Sequence, residues 1–267
     1  MPRFRKMRAF LAPTKRWVEP GIQLNARLAA GWSALAHRLL LYWQWGIAPQ
    51  PEHFDHHIDL HYAWQARRES FWVERGVFAS LCLDGGDVLE LCCGDGFDTR
   101  NFYSRRARRI LACDFDPRAI ATARMKNRAT NVEYVLADIR TSMPTGHFGT
   151  VIWNNAIEHF TPAEIDDVLR NVKERMAPRA VLSGSAVVQM SPNALGRYHE
   201  YEFADKQDLL GLFQRHFKHV RVFETKYRLR HNLYFWASDG VVPFDPEWSS
   251  QVSTLNLNGR DELAKHS

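Results

Sequence analysis

The chain has few cysteines and no long uninterrupted apolar run. These two features argue against a structural zinc site and against a membrane-spanning helix. Only four of its 267 residues are cysteines, and none lies in the Cys-x-x-Cys spacing of structural zinc sites. The apolar stretch 31–45 is interrupted by His37 and Arg38 and falls short of the roughly 20 residues that cross a bilayer. We therefore predict a cytoplasmic protein with reduced, mostly buried thiols. Internal repeats and low-complexity tracts are also absent from the sequence.

Basic charge is concentrated near the start of the chain. The net charge is +5, but residues 1–38 hold eight Lys and Arg against Glu19 alone, so the remainder is slightly acidic. A basic segment followed by an aromatic-rich helix is typical of helices that lie on an anionic membrane surface. A solvated arm with a helix packed on the protein is the alternative. Peripheral membrane contact through this arm is therefore an open expectation.

The run 88–97 contains an apolar strand that ends in a tight glycine turn. Glu90 lies inside the strand, and Gly94 and Gly96 come after it. Glycines at such a turn permit positive φ and let a ligand approach the backbone closely. This outline serves nucleoside, dinucleotide and phosphate sites alike, so the residues that end the later strands must decide between them.

Acids or amides close the next three strands. Asp114 ends the second apolar strand, 24 residues after Glu90, and Asp138 and Asn154 end the third and fourth. In an open α/β sheet the ligand lies outside the carboxyl ends of the strands, with an acid at about this spacing on the ribose. Negative charge at successive strand ends favours a cationic nucleoside as the ligand over a pyrophosphate, which is itself negatively charged. Any one of these residues alone is as readily a helix N-cap.

This ordered set resembles the class I S-adenosylmethionine-dependent methyltransferases, over about Val73 to Ser238. The resemblance implies an α/β fold with a Rossmann-like, seven-stranded, mostly parallel sheet, an antiparallel C-terminal hairpin and helices on both faces. An N-terminal helical extension is added in this chain. Two departures are visible, because the family often has Asp where Gly149 stands and Gly-Gly where Arg179-Ala180 stands.

The resemblance also implies S-adenosylmethionine as the cofactor and assigns residues to it. The glycine turn with Glu90 would lie under the methionine part and the ribose. Asp114 would bind the ribose, Phe115 would pack on adenine, and Asp138 with Ile139 would meet the adenine amino group. The predicted cofactor-binding set is Glu90, Cys92, Gly94, Asp95, Gly96, Asp114, Phe115, Asp138, Ile139, Asn154 and Asn155.

Four segments are predicted along the chain. They are a basic arm with an aromatic amphipathic helix (1–51), a helical lid or entry segment (52–80), the methyltransferase domain (81–238) and a polar C-terminal tail (239–267). Within the domain, helices that alternate with strands favour a parallel sheet. Predicted element bounds include helices 98–106, 162–176 and 205–217 and a strand 180–188.

The acceptor side is predicted from histidines near the fourth and fifth strands. Methyl transfer is an in-line displacement that needs alignment, and a hydroxyl acceptor also needs a base. His159 is the first candidate base, with His199 and Glu202 as further catalytic candidates and Tyr201 as a possible acceptor contact. Packing or helix capping explains each of them equally well. We expect a small-molecule or glycan-like acceptor, methylated at oxygen.

The remaining features of the sequence suggest other functions. Histidines 53, 56, 57 and 61 share helical spacing, but we predict no metal, because His-x3-His alone is not specific. An RNA methyltransferase tethered by the basic arm is the first rival function, and nucleic acid is disfavoured because the rest of the chain is acidic. The arginines at 105–109 are interpreted as a solvated face. A non-catalytic cofactor-binding or scaffold protein is the second rival.

Overall fold

The computed structural model describes residues 14–43, 70–189, 199–227, 230–240 and 242. The chain divides into two compact units, one made of 1–50 with 57–68 and the other of 51–56 with 69–267. Each unit is described by itself. The histidines at 53–61, the tail from 243 onward and most of the predicted entry segment lie outside the described residues.

Helix α1, Lys15–Leu41, is the described element of the first unit. It lies within the segment 1–51, for which the sequence predicts a basic arm and an aromatic amphipathic helix without a boundary between them. Pro20 lies inside the helix and removes one backbone donor, yet the helix continues past it. Within the described part of the chain, no helix combines the length and apolarity needed to span a bilayer.

One face of α1 exposes large apolar side chains. Their spacing of three or four residues places them along a single stripe, and each is 47–72% exposed. We call this set the α1 apolar stripe: Leu24, Leu28, Trp32, Leu35 and Leu39.

The second unit contains a seven-stranded sheet in the order β3-β2-β1-β4-β5-β7-β6. The strands are β1 Asp87–Leu91, β2 Arg109–Asp114, β3 Val132–Leu136, β4 Phe148–Asn154, β5 Met176–Val187, β6 His219–Tyr227 and β7 Arg230–Ser238. The helices are α2 Phe71–Ser80, α3 Pro117–Lys126, α4 Pro162–Arg175 and α5 Lys206–Gln214. Strands β1 to β5 pair in parallel, and β7 pairs antiparallel with both β5 and β6. The predicted fold is confirmed.

The sheet buries a core on each face. Neighbouring residues of one strand point to opposite faces, so Leu89 and Leu91 join one core whereas Val88 joins the other. The first core takes its helical side chains from α4 and α5, and the second takes them from α2 and α3. The parallel strands are therefore covered on both sides, and their carboxyl edge is left for ligands.

Two local elements differ from the sequence prediction. The predicted helix 98–106 is a short π-helical segment, Thr99–Tyr103, directly after the glycine turn. Strand β5 begins at Met176, immediately after α4, instead of at 180. Its pairing with β4 shifts between Phe148 and Thr150, and Arg179 takes a left-handed φ of 69° within that irregular stretch. This is where related chains often have Gly-Gly, because glycine adopts that conformation without strain.

Glu74 of α2 joins this helix to the C-terminal hairpin. One carboxylate oxygen accepts from Thr225 at 3.1 Å and from Tyr234 at 2.9 Å, and the other accepts from Ser70 at 3.0 Å and from Tyr227. These four hydroxyl donors replace the water molecules that the carboxylate loses on burial, because a partly buried charge needs hydrogen-bond partners. Helix α2 is thereby fixed against β6 and β7.

Gly184 in the middle of β5 is predicted to accept no side chain. A Cβ there would lie 2.0 Å from the Trp153 carbonyl oxygen and 2.6 Å from Phe235, and backbone cannot move aside. Gly184→Ala should lower the free energy of unfolding by about 3 kcal/mol. Gly211→Ala is the matched control, since that position in α5 is exposed with nothing within 4 Å. It should raise stability by up to about 1 kcal/mol. Urea unfolding measures both, and a tolerated Gly184→Ala would contradict the packing of β5.

Candidate active site

The turn after β1 uses its two glycines for different reasons. Gly94 and Gly96 both have positive φ, 56° and 73°, and Cys92 before them also does, at 55°. A Cβ on Gly96 would strike the Tyr134 hydroxyl at 2.6 Å, so this glycine is needed for packing. A Cβ on Gly94 would meet nothing within 4 Å. The backbone at Gly94 is thus bordered by open space, into which a ligand can come close.

Asp114, at the carboxyl end of β2, holds this turn in place. Its carboxylate accepts from the Gly94 backbone N–H at 2.9 Å and from the Asp116 backbone N–H at 2.9 Å. Asp116 in turn caps α3 by accepting from the Arg118 backbone N–H. Asp114 therefore supports the turn from the carboxyl end of β2.

Glu90 lies buried beneath the turn. It accepts from the Thr99 hydroxyl at 2.6 Å, at the start of the π-helical segment. Burial raises the pKa of Glu90 to about 8; the Thr99 hydrogen bond opposes this shift, and the negative charge of nearby Asp98 adds to it. The β1 carboxyl end therefore holds a carboxyl group that is protonated at neutral pH in the absence of a ligand.

Asn154 connects four segments at the end of β4. Its amide nitrogen donates to the Tyr103 hydroxyl at 2.6 Å and to the Arg75 carbonyl at 3.3 Å, and its amide oxygen accepts from Ser185 at 3.1 Å. The Arg75 guanidinium forms an ion pair with Asp98 at 2.8 Å. These hydrogen bonds fix the position of the Asn154 side chain.

Asn155 comes next, in a left-handed conformation with φ of 51°. Its side-chain oxygen accepts from Arg230 at 2.9 Å, and the Arg230 guanidinium lies 3.5 Å from the centre of the Phe71 ring. Asn tolerates positive φ better than most residues. The turn after β4 is therefore fixed to the start of β7 and the start of α2.

The remaining predicted cofactor residues have different environments. Phe115 is 45% exposed beside Asp114, so its ring is accessible to a ligand. Asp138 accepts from the Arg140 backbone N–H at 3.0 Å and is partly exposed. Ile139 and Asp95, in contrast, are buried, Ile139 in the core and Asp95 as a cap that accepts from the Phe97 backbone N–H. A cofactor contact at these two positions stays a prediction.

The three predicted catalytic residues lie together. The rings of His159 and His199 are 5.2 Å apart between centroids and nearly perpendicular. The Glu202 carboxylate is hydrogen-bonded to Nδ1 of His199. His159 ends the short 3-10 turn Ile157–His159 after β4. Two histidines that are distant in the sequence are thus brought together at the carboxyl edge of the sheet.

Three residues of this edge were missed by the sequence prediction. Glu158 is 2% exposed and adjoins both histidines. Arg75 forms a buried ion pair, and Arg230 binds the turn after β4. Their partners come from distant parts of the chain, so local pattern carries no signal for the two arginines. Glu158 could have been identified from the sequence, because it directly precedes the predicted base His159.

The raised pKa of Glu90 predicts a specific pH dependence of stability. The folded protein keeps a proton that the unfolded chain releases, so stability falls as pH rises from about 4.5 to about 8. Glu90→Gln does not titrate, and its stability relative to wild type should increase across that window, by at most about 1.4 kcal/mol per pH unit. Urea unfolding between pH 4.5 and 8.5 measures this difference.

Glu133→Gln is the control for that measurement, because Glu133 forms an exposed pair with Arg109. Its difference from wild type should change little over the same pH range. The same slope in both variants would contradict a buried, protonated Glu90.

Comparison with known proteins agrees with this geometry. Residues 88–179 match a family model described as a methyltransferase domain. The structure of a DhpI–SAH complex is 20% identical, with a TM-score of 0.51 over 68% of this chain and 92% of that chain. N-methyltransferase NodS from Bradyrhizobium japonicum, in complex with S-adenosylhomocysteine, is 16% identical, with a TM-score of 0.51 over 66% and 91%.

An S-adenosylmethionine-dependent methyltransferase from Clostridium acetobutylicum is 11% identical, with a TM-score of 0.52 over 69% of this chain and 98% of that chain. No curated protein sequence matches the chain. At such identities the solved structures establish the fold, and the family model adds the methyltransferase domain. The chain therefore has the fold of the class I methyltransferases, and its residues 88–179 match a methyltransferase domain.

Proposed function

We propose that this protein transfers a methyl group from S-adenosylmethionine to a hydroxyl of a small-molecule or glycan-like acceptor. The observation that carries the proposal is the meeting of two groups at one edge of the sheet. The open turn at Gly94 comes after β1, and the His159–His199 pair comes after β4 and β5. Since β1 pairs with β4 and β4 pairs with β5, these strand ends are neighbours. Ligands of such sheets lie at this edge.

The cofactor half of the proposal is assigned to the ends of β1 to β4. Asp114 is proposed to accept from the ribose hydroxyls, because its carboxylate lies at the carboxyl end of β2 and bonds to the backbone of the glycine turn at Gly94. Exposed Phe115 is proposed to pack on the adenine, and partly exposed Asp138 to face its amino group. The sulfonium cation is favoured by the acids around the turn, because opposite charges attract strongly at partly buried sites.

The acceptor half of the proposal is assigned to the histidine pair. A hydroxyl is a weak nucleophile until a base takes its proton, whereas a neutral amine is nucleophilic as it stands. His159 is proposed as that base, with His199 and Glu202 beside it. Glu202 orients the His199 imidazole much as an acid orients the histidine in a catalytic triad. This paired arrangement favours oxygen as the methylated atom, although one protein of similar structure, NodS, is an N-methyltransferase.

Calorimetric binding of S-adenosylmethionine to the wild-type protein and to Asp114→Ala tests the cofactor assignment. Hydrogen bonds to a charged acceptor are worth about 1.5–3 kcal/mol each, so the affinity should fall at least about 100-fold in the variant. Asp87→Ala is the control, since Asp87 is a carboxylate at the opposite end of β1, where it pairs with Arg108. Circular dichroism checks that both variants fold. Unchanged affinity in Asp114→Ala would refute the ribose assignment, and no binding by wild type would refute the proposed function.

As a second candidate function, we propose that α1 binds an anionic lipid surface. The α1 apolar stripe runs along most of the helix and is exposed, and basic residues such as Arg27 and Arg38 lie on the same helix. A helix with one apolar face and added basic charge lies in the interface plane of a bilayer. RNA would need basic residues and hydrogen-bond donors where this helix exposes Leu and Trp. The stripe therefore favours lipid over RNA as the partner.

Cosedimentation with phosphatidylcholine vesicles, with and without phosphatidylserine, tests this second candidate. Leu35→Glu places a charge in the stripe and should weaken binding to the anionic vesicles about 10-fold or more, since burying a Leu side chain is worth about 1.5–3 kcal/mol. Gln23→Glu is the matched control, because it adds the same charge at an exposed position outside the stripe. An equal loss in both variants would show that charge alone matters, and no binding by wild type would end the candidate.

A further inference from the structure

We propose that Glu158, His159 and His199 form a binding site for a divalent transition-metal ion on the acceptor side of the sheet. Each of the three side chains offers one ligand atom, and these atoms all lie within 4.8 Å of one another. Two imidazoles with one carboxylate form a ligand set that suits Zn²⁺ and the neighbouring first-row divalent ions. The inference deepens the proposed function and rests on it for the identity of the acceptor.

The spacing of the three atoms is close to that of a formed site. Metal–nitrogen bonds of about 2.0–2.1 Å in a tetrahedral site place ligand atoms about 3.3–3.4 Å apart. The 4.8 Å limit exceeds this spacing by at most about 1.5 Å, so metal binding requires the imidazoles and the carboxylate to turn inward by that amount or less. The turn Ile157–His159 supplies two of the ligands from adjacent positions, and the loop after β5 supplies the third.

Glu158 is the observation that points to a cation. The residue is only 2% exposed, and its Oε2 has no hydrogen-bond partner among the described residues. A buried carboxylate oxygen without a donor is costly, and the great majority of buried polar atoms in proteins have partners. A metal ion at the point where the two histidines meet would satisfy that oxygen and offset the cost of its burial.

His199 is already oriented as metal-binding histidines are. Glu202 bonds to its Nδ1, which leaves Nε2 for a metal. Histidine ligands almost always pair their second ring nitrogen with a carboxylate, a carbonyl or water, which fixes the ring and raises its basicity. The Glu202 side chain is only 7% exposed, so this pairing is protected from solvent.

Backbone hydrogen bonds hold the two ligand-bearing segments together. The Glu158 carbonyl accepts from the backbone N–H groups of Glu200 at 2.8 Å and Tyr201 at 3.1 Å. Arg140 donates to the His159 carbonyl at 3.0 Å and packs over Phe160. The site is therefore assembled by the fold before any ion arrives, and this preorganisation favours binding.

Three protein ligands leave at least one coordination position for the acceptor oxygen. A cation there lowers the pKa of a coordinated hydroxyl, so that its proton passes to solvent and an alkoxide-like oxygen remains. That oxygen then forms its bond to the methyl carbon as the carbon–sulfur bond breaks, and S-adenosylhomocysteine leaves with the bonding pair on sulfur. With the ion bound, His159 is a ligand, and the cation provides the activation otherwise assigned to its imidazole. The acceptor class that fits is an alcohol or phenol able to bind a metal.

Equilibrium dialysis of the full chain against Zn²⁺ and Co²⁺, after treatment with a chelator, tests the site without cofactor or acceptor. The wild-type protein should bind one tight equivalent, and Co²⁺ should show the visible absorption of a low-coordinate nitrogen–oxygen site. Glu158→Gln and His199→Gln should each weaken binding at least 10-fold. Glu202→Gln should weaken it by about 10–100-fold, as is typical when a residue that orients a ligand is lost.

Two controls separate this site from other histidines. Glu200→Gln removes an exposed carboxylate next to the site and should leave metal binding unchanged. A variant with His53, His57 and His61 all changed to Ala removes the cluster that lies outside the described residues. Metal lost in that variant but retained in Glu158→Gln would overturn the inference, as would wild-type protein that binds no tight equivalent. Because S-adenosylmethionine binding is measured separately, failure of the metal site and failure of the proposed function are distinguishable.

Discussion

Side-chain hydrogen bonds at the carboxyl edge of the sheet join the ends of the strands to the turns and helices around them. Asp114 joins the turn after β1 to the start of α3, and Asn154 joins β4 to β5, to α2 and to the π-helical segment. Parallel strands end here with unpaired backbone groups, so acids and amides must satisfy them. The open space at Gly94 and the neighbouring histidine pair both depend on these bonds. The edge that receives ligands is thus also the edge with the largest demand for polar contacts.

The order of strands and the acids that end them were predictable because they are local features. Buried parallel strands are short apolar runs, and the glycine turn with Asp114 at its expected spacing fixes their order in the sheet. His159 and His199 lie close together because β4 and β5, which precede them, end side by side in the sheet. Contacts between distant segments, in contrast, cannot be predicted from the sequence pattern. Glu74 meets residues more than 150 positions away in β6 and β7, and no periodic pattern encodes such a pair.

Local signals for irregular structure are overridden at two places. Helix α1 contains Pro20 and dense basic charge, but Arg, Ala and Leu are good helix formers, and one proline removes a single backbone hydrogen bond without ending a long helix. Strand β5 begins at Met176 instead of the predicted 180 and includes Arg179 in a left-handed conformation that is unusual inside a strand. Both cases show stabilising context overriding a local signal for irregular structure.

The backbone carbonyl of Glu158 has a consequence for how this fold diversifies. By accepting from two successive N–H groups of the loop after β5, it makes the turn 157–159 and the segment 199–203 a single mechanical body. Neither piece can be exchanged for that of another protein without disturbing the other. Under the proposed function, a change in acceptor preference therefore requires both segments to change together, although they are separated in the sequence.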